Sequence, residues 1–326
     1  MNENSGVATT DSGFDLKLRP QELTDFVGNE PIIVRLKMMI QAAKERGESL
    51  GHVLFHGPPG LGKTTLAAIV AREMGANFVT SSGPSIEKAG DLAGILTNLQ
   101  ENDVLFIDEI HRLQKNIEEY LYSAMEDFCL DLMIDSGPSA RSISVSLNKF
   151  TLIGATTRMG NLSAPLRSRF PIGLRLEYYD HESLSKIITR SANLLGVMIN
   201  KTSATEISKR SRGTPRVANN ILRWVRDFAQ IHNKNVIDEK TVNLACSMIA
   251  VDEMGLDEMD KKILRVIIEH HDGGPVGIKS IAASVGEEET TLMEVYEPYL
   301  IMKGFLKRTP RGREVTKHAY DHLGDK

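Results

Sequence analysis

The stretch GPPGLGKT, Gly57–Thr64, matches the phosphate-loop pattern G-x-x-x-x-G-K-S/T and lies in the setting that this pattern requires. The residues before it, GHVLFH, are typical of a short buried strand, and Thr65–Met74 after it is typical of an amphipathic helix. Glycines let backbone N–H groups point towards phosphate oxygens, while the helix N-terminus and Lys63 add positive charge. The sequence therefore predicts a polyphosphate-binding site, in which Thr64 offers its hydroxyl to Mg²⁺.

The composition is that of an ordinary globular protein and excludes several classes. The chain has 326 residues, 41% hydrophobic and 25% charged, so two or three domains with sizeable cores are expected. No apolar run approaches the roughly 18 residues of a membrane helix, and Met1–Thr10 lacks the apolar segment of a secretory signal. Cys129 and Cys246 lie far apart, as expected for reduced thiols in a cytoplasmic protein. With a net charge of −4, any contact with nucleic acid must be a local patch.

Segment patterns divide the chain into a polar tail and three domains. Residues 1–13 predict a disordered tail, and residues 14–179 alternate strands with helices, which predicts an α/β domain with a parallel sheet. Its strands are expected at Val53–His56, Asn77–Ser81, Asp103–Ile107 and Phe150–Ala155. Residues 180–252 predict a small helical domain, and residues 253–326 predict a winged helix, with three helices and a hairpin. Helices of the small domain are expected to start near His181, Ser203, Thr214 and Asp238, with Asp180 and Ser203 as caps and Pro215 at a first helical position.

Two acidic residues end an apolar strand about forty residues after the phosphate loop. The strand is VLFI, and Asp108 and Glu109 follow it. Because the carboxyl ends of parallel strands face the nucleotide crevice, both carboxylates are expected beside the phosphate loop. Asp108 is placed to hold Mg²⁺ through its water shell, and Glu109 to orient and deprotonate the attacking water.

Four further segments carry a family resemblance. They are Leu18-Arg19-Pro20 with Asp25-Phe26-Val27-Gly28, Gly154-Ala155-Thr156-Thr157, Leu166-Arg167-Ser168-Arg169-Phe170 and Gly213-Thr214-Pro215-Arg216. Together with the phosphate loop and the acidic pair, they resemble the AAA+ ATPases over residues 17 to about 250. The resemblance implies an AAA+ P-loop core followed by a small helical lid domain.

The resemblance also implies roles for individual residues. Thr157 is the expected sensor between the acids, Arg169 the arginine finger rather than Arg167, and Arg216 the second sensor rather than Arg212. The ATP contacts that it implies are Leu18, Arg19, Gly60, Gly62, Lys63, Thr64, Thr65 and Arg216, with Arg169 at a neighbour's nucleotide. The closer match described next adds Tyr179 beside the adenine and Glu126, Asp127 and Phe128 near a neighbour's nucleotide. A guanidinium delivered to the developing charge on the phosphoryl oxygens is worth ~10³ to 10⁵ in rate. If Arg169 belongs to the next subunit, hydrolysis requires a ring.

Within that superfamily, the chain is most similar from Leu16 to Gly312 to the bacterial motors that drive branch migration of Holliday junctions. The segments that carry this closer match are Glu87–Leu92, Asp108–Leu113, Ile153–Arg158, Arg212–Arg216 and Arg308–Arg313. The similarity implies a homohexameric ring that encircles duplex DNA. It also implies two protein partners, one that binds the junction and a nuclease that resolves it.

A hairpin is expected to protrude from the first domain. Two strand-like runs, Leu130–Ile134 and Arg141–Leu147, flank Gly137-Pro138, and the second alternates serine with apolar residues. Ile143 and Val145 therefore form an apolar edge that either folds back onto the domain or docks a partner. The resemblance favours docking to the junction-binding protein.

The C-terminal domain concentrates positive charge on its hairpin rather than on its helices. The helix expected from Glu287 to Met302 begins with three glutamates, which is a poor match to phosphates. Cations gather at Lys303, Lys307, Arg308, Arg311, Arg313 and Lys317, opposed there only by Glu314. We expect Arg308, Arg311 and Arg313 to bind duplex DNA through its phosphates, without reading bases.

Three alternative functions are open to a chain with these motifs. A protein-unfolding ring needs an aromatic pore loop, and residues 81–94 contain no aromatic. A clamp-loader-like switch does not require a basic wing and usually has Ser-Arg-Cys where this chain has Ser-Arg-Phe. An ATP-sensing winged-helix regulator would read DNA with a helix that here begins with acids. The motor remains the favoured function.

Overall fold

The structure is a computed structural model that describes residues 17–133, 142–233 and 235–324. The tail expected at residues 1–13 lies outside these ranges. The chain forms two compact units, one extending to Ser183 and including Thr214–Arg216, the other comprising Leu184–Gly213 and the residues from Val217 onwards. Among the described residues, no helix combines the length and apolar character needed to cross a membrane.

The first unit is built around a five-stranded parallel sheet. Its strands are β1 (Val53–His56), β2 (Phe78–Ser82), β3 (Val104–Asp108), β6 (Thr151–Thr156) and β7 (Ile172–Arg175), in the order β2-β3-β6-β1-β7. Its helices are Glu30–Arg46, Lys63–Met74, Ala89–Thr97, Lys115–Glu126 and Ala164–Ser168. The α/β prediction is confirmed, with β1 as expected and β2, β3 and β6 each displaced by one residue.

The central strands of the sheet are buried in the core. All six residues of β6 are buried, and so are the first four of β3, as expected for strands covered on both faces. The edge strand β7 alternates intermediate, exposed and buried positions over only four residues, which explains why sequence periodicity missed it. Since β1, β3 and β6 are parallel neighbours or next neighbours, the phosphate loop, Asp108 and Thr157 all follow strand ends at one edge of the sheet.

Gly154 in β6 makes room for its neighbours. A Cβ atom there would lie 3.0 Å from Cζ of Phe170, 3.1 Å from Cδ1 of Ile110 and 3.2 Å from Cδ1 of Leu54. These distances are tighter than ordinary van der Waals contacts, so the glycine allows three large apolar side chains to close over the strand.

The expected hairpin is present as an antiparallel pair, β4 (Cys129–Met133) and β5 (Ser142–Ser146). Leu130 pairs with Val145 across the strands and is fully buried. Ile143, in contrast, is 52% exposed, and Val145 is half-buried. The connecting residues, including Gly137-Pro138, lie outside the described ranges.

The second unit begins with the helices of the small domain. They are His181–Leu194, Lys201–Arg210, Pro215–His232 and Glu239–Met248, and two short strands, β8 (Met198–Ile199) and β9 (Val236–Ile237), pair in parallel between them. The caps at Asp180 and the first helical position of Pro215 are confirmed. The cap expected at Ser203 is wrong, because the side chain of Asn200 accepts from the Ser203 N–H at 2.7 Å and Ser203 lies inside the helix.

The C-terminal part of the second unit has the expected helices and hairpin. The helices are Glu258–His271, Ile278–Val285, Glu289–Thr291, Glu297–Met302 and Lys317–Leu323, and the π-helical turn Leu292–Tyr296 joins the third to the fourth. Strands β10 (Leu306–Thr309) and β11 (Gly312–Val315) pair antiparallel, with Arg308 opposite Arg313. The acidic helix was expected to start at Glu287 but starts two residues later.

Candidate nucleotide-binding site

The phosphate loop needs its glycines for both backbone conformation and space. Gly57, Gly60 and Gly62 have φ values of 137°, 78° and 95°, in the range that side chains disfavour. A Cβ at Gly57 would collide with the Leu176 carbonyl oxygen, and one at Gly62 would lie 3.3 Å from the Phe26 ring. The loop is therefore fixed by its surroundings, with helix Lys63–Met74 beginning directly after Gly62.

Lys63 is the buried cation of the loop. It is 7% exposed, and its Nζ donates to the carbonyl oxygens of Gly57 at 2.9 Å and Pro58 at 2.8 Å. Burial lowers the pKa of Lys63, and the carboxylates of Asp108 and Glu109 act in the opposite direction. The ammonium group is thus held by two loop carbonyls and feels the charge of both acids.

Asp108 borders a cleft of about 520 Å³ beside the helix that follows the loop. Other residues that line the cleft include Arg19, Thr64 and Thr65. Among the described residues, no group of three or more His, Cys, Asp or Glu side chains could hold a metal ion. One carboxylate and one hydroxyl in an open cleft fit Mg²⁺, because this ion keeps several of its waters and few protein ligands.

Glu109 is held in a strained backbone conformation with its carboxylate accepting hydrogen bonds. Its φ is 48°, and a Cβ at Gly83 would collide with its carbonyl oxygen. Thr157 Oγ1 lies 3.3 Å from Oε2 and 3.5 Å from Oε1 of Glu109. Left-handed backbone at a non-glycine residue is costly and is found mainly where the surrounding structure enforces it for function. The structure therefore brings Thr157 and Glu109 together, as the sensor assignment requires.

The structure separates the two candidates for the second sensor. Arg216 belongs to the first unit, its N–H donates to the Gly60 carbonyl oxygen at 3.4 Å, and its Cβ lies 3.2 Å from the position of a Cβ on Gly60. Arg212 belongs to the second unit, where its guanidinium contacts the carboxylates of Asp257 and Asp260. Arg216 is therefore beside the phosphate loop, whereas Arg212 is held by ion pairs with two carboxylates of the second unit.

Tyr179, for which the resemblance implies a contact with adenine, is buried next to the phosphate loop. It is 7% exposed, and its hydroxyl donates to the Leu61 carbonyl oxygen at 3.1 Å. Its ring covers Gly28, where a Cβ atom would lie 2.6 Å from Cε1 of Tyr179. Burial raises the pKa of this hydroxyl. Leu18 is also buried, and the Phe26 ring lies close to Gly62, so this tyrosine and Phe26 both adjoin the phosphate loop.

Arg169 is held by a network of its own. Its Nη2 lies 3.0 Å from Oε2 of Glu126, its Nη1 donates to the Pro165 carbonyl oxygen at 3.0 Å, and its guanidinium lies 4.3 Å from the centre of the Tyr122 ring. Tyr122 in turn donates to the buried Glu118 at 3.0 Å. The side chain of Arg169 is 20% exposed. It is therefore ordered, next to the exposed Glu126 and Asp127 and the half-buried Phe128.

Arg167, the alternative finger, is exposed. The residue after Arg169, Phe170, is 7% exposed and belongs to the core. The core thus fixes the backbone beside Arg169.

In the C-terminal domain, one buried carboxylate opposes the basic hairpin. Glu297 is 3% exposed and accepts from Arg313 Nε at 2.9 Å and from Arg308 Nε at 3.2 Å. The expectation that Glu314 alone opposes these cations is therefore wrong. The Arg313 side chain is 14% exposed and that of Arg308 is 54% exposed. Arg311 is exposed and has no hydrogen-bond or ion-pair partner within the described part of the chain.

His111 is a site residue that sequence reasoning quoted but gave no role. Its side chain is 5% exposed and lies between Thr156 and Glu109. The signal in the sequence was its position two residues after Glu109. The short 3-10 turn Ile110–Arg112 keeps it close to that carboxylate.

Comparisons with known proteins agree with this architecture. Three family descriptions match: "Holliday junction DNA helicase RuvB P-loop domain" at residues 18–176, "RuvB AAA lid domain" at 179–252 and "RuvB C-terminal winged helix domain" at 253–324. The Holliday junction branch migration complex subunit RuvB of Protochlamydia amoebophila is 63% identical, over 99% of this chain and 98% of its own. The subunit of the same name from Flavobacterium psychrophilum is 58% identical, over 94% and 91%.

A solved structure supports the same relationship. The Thermotoga maritima RuvB Holliday junction branch migration motor superposes with a TM-score of 0.86 at 51% identity, covering 95% of this chain and 99% of that one. The fold and the site define an AAA+ ATPase with a C-terminal winged helix. Within that class, the chain belongs to the RuvB family.

Proposed function

We propose that this chain is the motor subunit that hydrolyses ATP to drive duplex DNA through Holliday junctions. The observation that carries the proposal is the combination, in one chain, of an ordered phosphate loop with its acidic pair and a basic winged-helix hairpin. The match to relatives named as branch-migration subunits covers nearly the whole chain, so both parts belong to the similarity. Clamp-loader and regulator functions are not favoured, because no relative reported above carries such a name.

In the proposed hydrolysis, the protein residues divide the work. Lys63 and the loop N–H groups bind the β- and γ-phosphates, and Leu18, Arg19 and Tyr179 adjoin the base. Thr64 and Asp108 would hold Mg²⁺, which when bound neutralises charge on the phosphate oxygens.

The proton is taken at the carboxylate of Glu109, which also orients the attacking water. Thr157 donates to that carboxylate and holds it in place. Arg216 is positioned beside Gly60 to respond to the γ-phosphate. The hydrogen bonds and short contacts of these residues support the assignment.

We assign the remaining charge stabilisation to Arg169 of a neighbouring subunit in a homohexamer. The assignment is supported by the partners of Arg169, which are Glu126, Pro165 and Tyr122 and include no residue of the phosphate loop. Glu126, Asp127 and Phe128 would then adjoin the neighbour's nucleotide on the same face.

We further propose that the hairpin β4–β5 docks RuvA. Ile143 is an exposed β-branched side chain on strand β5. Val145, two residues further along the strand, is half-buried, and its partner across the hairpin is the buried Leu130. An exposed apolar edge on a protruding hairpin is suited to a partner surface. RuvC is the expected nuclease partner on the same junction, and the proposed site of action is the cytoplasm.

The proposed DNA contact is the hairpin β10–β11, acting on phosphates. Arg311 is exposed and Arg308 is about half exposed, so both support this role. Arg313 remains a predicted contact, but its pairing with the buried Glu297 leaves it less available.

Electron microscopy of the purified protein with ATP and duplex DNA tests the assembly. A six-membered ring with DNA through its centre is expected, and a monomer or an open spiral without DNA would contradict the proposal. A strand-exchange assay on a synthetic four-way junction with RuvA tests the activity, and Lys63→Ala should abolish it.

A further inference from the structure

The surroundings of Glu109 contain a second side chain that the hydrolysis described above does not use. His111 Nδ1 lies 2.8 Å from Thr156 Oγ1, and His111 Nε2 lies 3.4 Å from Glu109 Oε2. Thr156 is fully buried at the end of β6. The imidazole ring therefore bridges a central strand and the carboxylate.

The carboxylate of Glu109 decides which ring nitrogen of His111 carries the proton, and Thr156 can serve the resulting tautomer. The Arg158 N–H donates to Thr156 Oγ1 at 3.0 Å, which leaves the threonine hydroxyl hydrogen free to be donated onwards. Burial lowers the pKa of His111, so the ring is neutral and one nitrogen is an acceptor. If Nδ1 accepts from Thr156, then Nε2 carries the hydrogen and turns it towards Glu109 Oε2, 3.4 Å away. The other tautomer would turn an Nε2 lone pair towards the carboxylate, which is repulsive.

We propose that His111 is a positioning residue for Glu109. Its Nε2–H and the Thr157 hydroxyl are two donors that fix the carboxylate, and Thr156 fixes the imidazole. This arrangement would keep one carboxylate lone pair aimed at the attacking water. The inference rests on the proposed function, since it assigns His111 a role in the same hydrolysis.

Two substitutions at His111 separate this role from a purely structural one. The amide nitrogen of His111→Gln reaches the position of Nε2, whereas that of His111→Asn reaches only the position of Nδ1. We expect His111→Asn to lower kcat for ATP roughly tenfold to a hundredfold, the loss typical of a misplaced catalytic group. His111→Gln should recover most of that loss, and the KM for ATP should change little in either variant.

The pathway through Thr156 is tested by a double-substitution cycle. Thr156→Val removes the hydroxyl that holds the ring, while Thr156→Ser keeps it and is the matched control. If Thr156 acts on Glu109 only through His111, the double variant His111→Asn/Thr156→Val should lose no more kcat than His111→Asn alone. Fluorescent ATP-analogue binding and thermal unfolding of each variant show whether the fold and the nucleotide site are intact.

Equal kcat values for the Gln and Asn variants would overturn the proposal, and so would losses that multiply in the double variant. A rise in KM that accounts for the whole loss would also overturn it, because the role would then lie in binding. Failure of the proposed function is distinguishable, since it would appear as normal turnover in Glu109→Gln whatever the His111 variants do.

Discussion

Lys63 and Glu109 have different proposed roles in one nucleotide site, so their variants are expected to fail in different ways. Lys63→Ala removes the ammonium group and its contacts together, so nucleotide binding should be lost. Glu109→Gln keeps the shape but cannot accept a proton, so the variant should bind ATP and turn over at least a hundredfold more slowly. Equilibrium binding of a fluorescent ATP analogue and steady-state phosphate release measure the two properties. Normal phosphate release by Glu109→Gln would disprove its role as the base.

Glu297 gives the second unit a dependence on pH. Burial raises its pKa, but the hydrogen bonds from Arg308 and Arg313 outweigh that effect, so the folded-state pKa lies below the ordinary value of 4.5. A carboxylate with a depressed pKa stabilises the fold above its unfolded pKa and loses that contribution as the pH falls through the folded one. Stability should therefore decline below about pH 4.5.

Glu297→Gln tests this account. The substitution should lower the free energy of unfolding at pH 7 by about 1–3 kcal/mol, because the mostly buried Arg313 side chain loses its charged partner. It should also flatten the decline in acid. Chemical denaturation followed by tryptophan fluorescence, at pH 7 and pH 4, measures both. If the free energy of unfolding of the variant falls as steeply between pH 7 and pH 4, groups other than Glu297 cause the pH dependence.

On the apolar edge of the hairpin β4–β5, Ile143 is more exposed than Val145, so Ile143 is the better position at which to test docking. Val145 pairs with the buried Leu130, so changing it puts folding at risk, whereas Ile143 is half exposed. Ile143→Ser should change the free energy of unfolding by no more than about 0.5 kcal/mol and weaken RuvA binding. Surface plasmon resonance with immobilised RuvA is the measurement. Ser144→Ala, on the exposed neighbouring position, is the control that should bind normally.

If the melting temperature of Ile143→Ser falls along with RuvA binding, the edge belongs to the core and the docking proposal fails. The double replacement of Ile143 and Val145 should weaken binding further, at a cost in stability that the single change avoids.

The hairpin β10–β11 is expected to contact DNA through three arginines that are not equivalent. The logarithm of DNA affinity falls linearly with the logarithm of salt concentration, and each phosphate contact adds ~0.9 to the steepness of that slope. Arg311→Ala and Arg308→Ala should therefore each flatten the slope by about 1. Unrelated duplex sequences should weaken alike, because phosphates carry no base code. Fluorescence anisotropy titrations at several salt concentrations give the slopes. An unchanged slope, or a loss confined to one sequence, would exclude a phosphate contact.

Arg313→Ala is the informative comparison within this hairpin. Its guanidinium is mostly buried against Glu297, so its loss should lower the melting temperature more than the other two changes do. A slope that flattens by about 1 without a change in melting temperature would show that Arg313 leaves Glu297 to bind DNA.

Assembly of the whole ring is tested through Arg169. Arg169→Ala should bind ATP and assemble, yet hydrolyse it roughly three orders of magnitude more slowly. Mixing it with Lys63→Ala should restore activity at interfaces that pair an intact phosphate loop with an intact finger. Phosphate release across a series of mixing ratios is the measurement, with the exposed Arg167→Ala as a control that should stay active. If no ratio recovers activity, Arg169 does not act on a neighbour.

Local patterns in the sequence predicted most of the fold. The phosphate loop, the strand VLFID and the sheet that aligns them follow from buried apolar runs and glycine spacing, and β1 was predicted at its observed bounds. Asn200 was missed as a cap because Ser203, three residues on, has an equally suitable side chain. The family resemblance, not a local pattern, favoured Arg216 over Arg212 as the second sensor; Arg216 lies beside Gly60, and its role stays a prediction.

Contacts between residues distant in sequence could not be predicted. Glu297 pairs with arginines 11 and 16 residues away, on a different element, so the charge on the hairpin looked less opposed than it is. The contact between His111 and Thr156 spans 45 residues and depends on two neighbouring strand ends. Such pairs arise from the register of the sheet and the packing of helices, which no local pattern encodes.

The close packing at Gly154 has a consequence for inheritance. Its missing side chain seats both Phe170, which follows Arg169, and Ile110, which follows Glu109. One added carbon atom at this position would press on both neighbours and so disturb the proposed base of its own subunit and the proposed finger for the next. In a cell that carries altered and unaltered copies of the gene, each defective subunit would impair two catalytic sites, and the change would behave as dominant.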